Sequence, residues 1–116
     1  RGFAEENPEL MQAFTNALAE AYADYNANKA SWTADSEPVQ GIVKMIGGDG
    51  PGVVDALALM SFPDAAEQAS QTWLGGGAQD ALAESAAFLV EQRQIDGKLD
   101  DYSGFVNADF ATAAGQ

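Results

Sequence analysis

The sequence predicts a mostly α-helical chain of five or six helices. Two observations carry that prediction. Apolar residues recur at three- and four-residue steps over long stretches, most clearly from Pro8 to Asn28 and from Ala78 to Gln92. Gly, Pro, Asp and Asn punctuate the chain between those stretches. No stretch alternates convincingly at the period of two that a strand requires, and no internal repeat of 20–50 residues is visible. A brief extended segment is expected only at Arg1 to Ala4.

The first helix is the clearest. Asn7 suits the N-cap and Pro8 the first helical position. Leu10, Met11, Phe14, Leu18, Tyr22 and Tyr25 then form one apolar stripe, with Glu9, Glu20 and Asp24 largely off it. In NKASWTADSEP, Trp32 reads as an anchor pinning the turn to the core. Asp35 or Ser36 can cap a second helix whose buried face is Val39, Ile42, Val43 and Ile46, ended by Gly47-Gly48. DGPG, Asp49 to Gly52, reads as a turn. Val53, Val54, Leu57 and Met60 predict a short third helix, broken by Ser61-Phe62-Pro63. A fourth is expected from near Asp64 to about Gln71. After TWLGGG, Leu82, Ser85, Ala86 and Leu89 mark the stripe of the Ala78–Gln92 helix, flanked by Phe88. DGKLDDYSG, from Asp96, is a turn-rich exit. A last short helix is expected from Asn107 within Phe105 to Ala114.

Composition bounds the chemistry. A chain of 116 residues suits one domain of ordinary size, and 47 % apolar residues with 9 % aromatic is a globular composition. Acidic residues outnumber basic ones 18 to 5, for a net charge of −13. The cations, Arg1, Lys29, Lys44, Arg93 and Lys98, are scattered, so neither nucleic acid nor an anionic membrane is an expected partner. The acid excess reads as solubility. Cysteine and histidine are absent, which excludes disulfides, thiolate nucleophiles, Cys/His zinc sites and imidazole triads. No run approaches the ~18 apolar residues that cross a bilayer. The chain begins at Arg1 without a signal peptide, and the expectation is that it is cut from a longer polypeptide.

TWLGGG, Thr72 to Gly77, raises the possibility of an anion loop, because free N–H groups at a helix start attract anions. The residues argue against it. A P-loop needs Lys and Ser/Thr where Ala78-Gln79 stand, and a dinucleotide fingerprint needs a preceding strand. Asp80 and Glu84 would also repel an anion. A flexible or close-packed joint is the expectation. Asp96, Asp100 and Asp101 cluster in one loop, but Lys98 sits among them and the distal Glu of a calcium loop is missing. No metal, cofactor or enzymatic activity is expected. Phe62 and Trp73 bracket the fourth helix at breaks in the chain; they read first as core plugs, with a cleft-facing role as the alternative.

The order of segments adds to this. RGFAEENPEL, a long helix, YNANKASWT, SFPDAAEQ, TWLGGG and AAFLVEQRQIDGKLDDYSGFV together resemble the C-terminal part of the periplasmic solute-binding proteins of taurine-type ABC importers, a group that includes aliphatic sulfonate and nitrate receptors. The resemblance runs from about Gly2 to Phe110. It implies an intact α/β fold of two lobes that close on a small solute, of which residues 1–116 are a single helical segment. The N-terminal strands and the second lobe have no counterpart here. It further implies a periplasmic location, a taurine-like anionic or zwitterionic solute, and a membrane permease as partner. Phe62, Gln68 and Trp73 are the residues it places nearest the cleft, with TWLGGG as a joint presenting the last long helix. The competing expectation is a stand-alone helical interaction or oligomerisation module. A helical piece cut from an α/β lobe exposes the face a sheet once covered, and such faces self-associate.

Overall fold

The computed structural model describes residues 2–116. Seven α-helices occur among them: α1 (Gly2–Glu6), α2 (Pro8–Asn28), α3 (Glu37–Ile46), α4 (Gly50–Ala58), α5 (Ala65–Ala69), α6 (Gly77–Glu91) and α7 (Asp109–Ala114). Single 3₁₀ turns lie at Lys29–Ser31 and Ser103–Phe105, and no strand occurs among the described residues. The mostly α fold class is therefore the one the periodicity predicted. The chain divides into two compact units, one of residues 20–62 and one of residues 2–19 with 63–116.

The extended segment expected at Arg1 to Ala4 is a correction. Gly2 to Ala4 belong to α1, and Arg1 lies outside the described residues. The cause is Asn7. Its N–H and its side-chain amide both donate to the Phe3 carbonyl, at 2.9 and 3.1 Å. The residue read as a cap for α2 thus also closes a turn behind it. DGPG is a second correction. Asp49 accepts a hydrogen bond from the Gly52 N–H at 2.8 Å, so the expected turn is the cap and first turn of α4. Asp64 caps α5 in the same way through the Glu67 N–H, while α5 stops at Ala69, short of Gln71.

In the unit of residues 20–62, α3 packs against α4. Val39 is fully buried, with Val53 and Gly50 beside it in the core. Gly50 is glycine by necessity: a Cβ there would run into the Ala34 carbonyl. The four-residue face predicted for α3 is incomplete. Val39 is buried and Ile42 and Val43 are half-buried, but Ile46 is exposed at the last turn. The backbone then turns away through Gly47 and Gly48, both at positive φ. Met60, read as part of the third helix, lies beyond its end and is exposed.

In the other unit, α5 packs against α7. Ala65 and Ala111 are buried there, and the backbone of Gly115 approaches Ala66 closely. Small residues allow the two short helices to meet. Gln12 of α2 donates to the Phe110 carbonyl at 3.0 Å and ties this end of α2 to α7. On α6 only Ala86 of the predicted stripe is buried, and Leu82 and Leu89 are exposed. The stripe predicted for α2 also divides. Met11, Tyr22 and Tyr25 are half-buried, whereas Leu10, Phe14 and Leu18 face solvent.

Candidate functional site

Phe62, Gln68 and Trp73 follow one another across the break between α4 and α6, and each has a definite setting. Phe62 belongs to the unit of residues 20–62. Its ring meets Tyr22 and Tyr25 edge-to-face, at centroid distances of 5.2 and 4.8 Å. Tyr25 in turn meets Trp32 at 5.1 Å. The side-chain amide of Asn26 donates to the Phe62 carbonyl at 2.7 Å. Four rings thus fasten the last turns of α2 to the chain break at Ser61–Pro63, each such pair adding about 0.5–1.5 kcal/mol beyond area burial. Sequence reading foresaw Trp32 as an anchor, but not that Phe62 is the ring it reaches through Tyr25.

Gln68, on α5, and Trp73, in the turns that follow it, lie in the other unit. The Gln68 side-chain amide donates to the Pro63 carbonyl at 2.8 Å, and the Gln68 backbone carbonyl accepts the Leu74 N–H at 2.9 Å. Trp73 donates its N–H to the Ser70 carbonyl, and its indole is partly exposed. The ring stands over a hollow of about 510 Å³ shared with Thr72, Gly77, Ala78, Ala81, Leu82 and Ser85. That lining is apolar except for two hydroxyls, and it contains no cation.

The question posed by TWLGGG has a geometric answer. The N–H groups of Gly75, Gly76, Gly77 and Ala78 donate to the carbonyls of Ser70, Trp73, Gln71 and Trp73. With the Trp73 N–H on Ser70 and the Leu74 N–H on Gln68, the backbone donors from Trp73 to Ala78 are spent inside the chain and not offered outward as an anion loop would need. The glycines are there for close approach. A Cβ on Gly75 would come within 2.8 Å of the Ala69 carbonyl oxygen, and one on Gly77 would strike the Thr72 carbonyl. TWLGGG is a close-packed joint.

A second hollow, about 670 Å³, lies where α1 and the start of α2 face the tail, with Ala4, Pro8, Phe105, Val106 and Phe110 in its wall. Sequence reading missed it, and the available signal was the run of Phe105, Val106 and Phe110 in the tail. Asp101, in the exit loop, accepts from the Ser103 hydroxyl at 2.7 Å and its N–H at 2.8 Å. Those bonds hold its carboxyl below the usual aspartate range. They make a local turn, not a ligand set. Among the described residues, no three carboxylates come close enough to hold a metal ion. None of the described helices is long and apolar enough to cross a membrane.

Comparison with known proteins gives one informative likeness. The chain is 29 % identical over 113 residues to the taurine-binding periplasmic protein of Escherichia coli (strain K12). The aligned stretch covers 95 % of this chain and 34 % of the relative, so the chain spans about a third of the length of the curated relative it matches. No protein-family model matches. No solved structure matches. The relative's name states that it binds taurine and lies in the periplasm.

Proposed function

We propose that residues 1–116 form a single helical segment, the C-terminal portion, of a periplasmic solute-binding protein serving an ABC importer. Its solute would be taurine or a related small sulfonate. The observation that carries this reading is the similarity to a taurine-binding protein along nearly the whole chain. The action is capture without covalent chemistry. The solute binds the closed arrangement of lobes better than the open one, shifts the population toward it, and the closed form docks on the permease.

Phe62, Gln68 and Trp73 are the residues we place nearest the solute, and their settings rank them. Trp73 offers an exposed indole face at a hollow, the usual form of a side chain that packs on a ligand. Gln68 spends one N–H on Pro63 and keeps further polar capacity on its amide. Phe62 is held inside a ring cluster of its own unit, so it ranks last. The anion itself needs donors and a counter-charge, which the Trp73 hollow lacks; those groups come from outside this segment.

The test is to sequence the DNA upstream of the Arg1 codon, express the continuous product and titrate it with taurine by calorimetry. A strand-rich N-terminal half and saturable heat are expected. A product that gives no heat with taurine, other sulfonates or nitrate sinks the reading. Alanine at the positions equivalent to Phe62, Gln68 and Trp73 in an intact homologue then tests the ranking, and unchanged affinity in all three removes them from the site.

A second reading is favoured by the exposed apolar rows on α2 and α6: a helical module that pairs with its own copy. Light scattering separates the two. A dimer indifferent to sulfonates supports pairing, and a monomer that binds taurine rules it out.

A further inference from the structure

Asp-Gly occurs twice in the chain, at Asp49-Gly50 and Asp96-Gly97, and the two pairs stand in opposite settings. An aspartate before glycine is prone to ring closure, because the glycine nitrogen has no Cβ beside it to hinder attack on the aspartate carboxyl carbon. Closure requires the carboxyl and the following peptide plane to rotate toward each other. At Asp49 both are held. The carboxylate accepts the Gly52 N–H at 2.8 Å, and the Asp49 carbonyl accepts the Val53 N–H at 3.0 Å. The first bond fixes the side chain and the second fixes the peptide plane it would have to meet. Gly50 itself is buried, with its backbone close against the Ala34 carbonyl.

Asp96-Gly97 lies beyond α6, where the chain leaves the helix through Arg93 at a φ of 56°. Residues 91–100 are all exposed. Among the described residues nothing bonds the Asp96 carboxylate or the Gly97 N–H. No atom stands within 4 Å of the place a Gly97 Cβ would take. Neither rotation is opposed there.

We infer that Asp96 is a site of spontaneous isomerisation to isoaspartate, and that the cap of α4 protects Asp49 from the same reaction. The Gly97 nitrogen attacks the Asp96 carboxyl carbon. A C–N bond forms, the nitrogen gives up its proton, and the carboxyl C–OH bond breaks as water departs. The product is a succinimide ring. Water then adds to one of the two ring carbonyls, a ring C–N bond breaks, and the nitrogen regains its proton. Opening at the side-chain carbonyl restores aspartate. Opening at the main-chain carbonyl leaves the backbone running through Cβ and frees the former main-chain carbonyl as a carboxylate. One water leaves and one returns, so the mass and the net charge of −13 are unchanged. Water is the sole co-reactant, and no solute is involved. The link from α6 to the 3₁₀ turn at Ser103–Phe105 becomes one bond longer.

The experiment reads the returning water. The chain is incubated in heavy-oxygen water at neutral pH and then digested with trypsin in ordinary water. Each passage through the ring takes up one heavy oxygen. Cleavage after Arg93 and Lys98 isolates Asp96 in the peptide of residues 94–98, and cleavage after Lys44 and Arg93 leaves Asp49 in the peptide of residues 45–93. Tandem mass spectrometry assigns the label to a residue. Asp96 is expected to gain label about tenfold or more faster than Asp49, because Asp49 reacts only when the first turn of α4 opens. A second form of the 94–98 peptide, carrying the label but eluting separately, should accumulate as the isoaspartyl product. Asp96→Glu should abolish labelling at position 96, since the longer side chain closes the ring poorly. In concentrated urea the rates at the two aspartates should converge. Equal labelling of Asp49 and Asp96 in native buffer overturns the inference, and so does an unlabelled Asp96. A difference that persists in urea overturns the role given to the cap, because the fold is then not its cause.

Discussion

The two halves of α2 share one helix and one apolar periodicity, and they meet different fates. In the second half, Tyr22 and Tyr25 are taken up by Phe62 and Trp32 in a cluster of four rings. In the first half, Leu10, Phe14 and Leu18 stand exposed, although the same stripe runs through them. Helical spacing reports that a face is apolar. It does not report whether the chain itself supplies the cover. The difference lies in what returns to each half: the break that carries Phe62 brings its ring back to one, while α7 meets the other beside the row, at Gln12.

Substitutions can break that comparison, beginning with the largest effect. Phe62→Ala should destabilise the unit of residues 20–62 by about 3 kcal/mol, since it removes the ring that joins Tyr22 and Tyr25. Urea unfolding followed by tyrosine and tryptophan fluorescence would show it, and a loss below about 1 kcal/mol would mean that the cluster is decorative. Gly77→Ala comes next, at about 1–3 kcal/mol, because the added methyl meets the Thr72 carbonyl. Thermal melts by circular dichroism should register the loss, and an unchanged melting temperature would show the joint to be loose rather than close-packed.

Phe14→Ser should shift the stability of the isolated chain by no more than about 0.5 kcal/mol, the range of an exposed position without a partner. Equal losses for Phe14→Ser and Phe62→Ala would abolish the contrast between the halves. The gentlest test is by pH. Asp101 gains hydrogen bonds as a carboxylate, so its folded pKa is lowered. The turn it makes with Ser103 is complete above the ordinary aspartate pKa and is lost as pH falls through the lowered value. Ser103→Ala should move the Asp101 titration upward in carboxyl NMR shifts, with no change at the ring cluster. An unmoved titration would reject Ser103 as the cause.

Much of the helical layout was legible from local chemistry. Pro8 and the stripe behind it located α2, Ser36 and Gly47-Gly48 bounded α3, and Asp64 began α5 where its side chain caps. These signals act within a few residues, so they survive without tertiary context. Two readings failed because a residue served a neighbour that the local pattern did not name. Asn7 turned back to Phe3 and made α1, and Asp49 drew Gly50–Gly52 into α4. The candidate site was less legible. The breaks that carry Phe62 and Trp73 could be read, but not which carbonyl Gln68 would meet or which rings would hold Phe62.

The sequence by itself determined the helical class, the punctuation between helices and the exclusion of Cys and His chemistry, because these depend on residue type and short spacing. Only the tertiary structure decided that TWLGGG spends its N–H groups internally, that Phe62 is a hub of packing, and that the α2 stripe divides into covered and uncovered parts. The TWLGGG bonds span only three to six residues but rest on the close packing of that joint, whereas the other two depend on segments distant in sequence meeting in space. Burial and close packing over the whole unit set such meetings, and no local pattern encodes them.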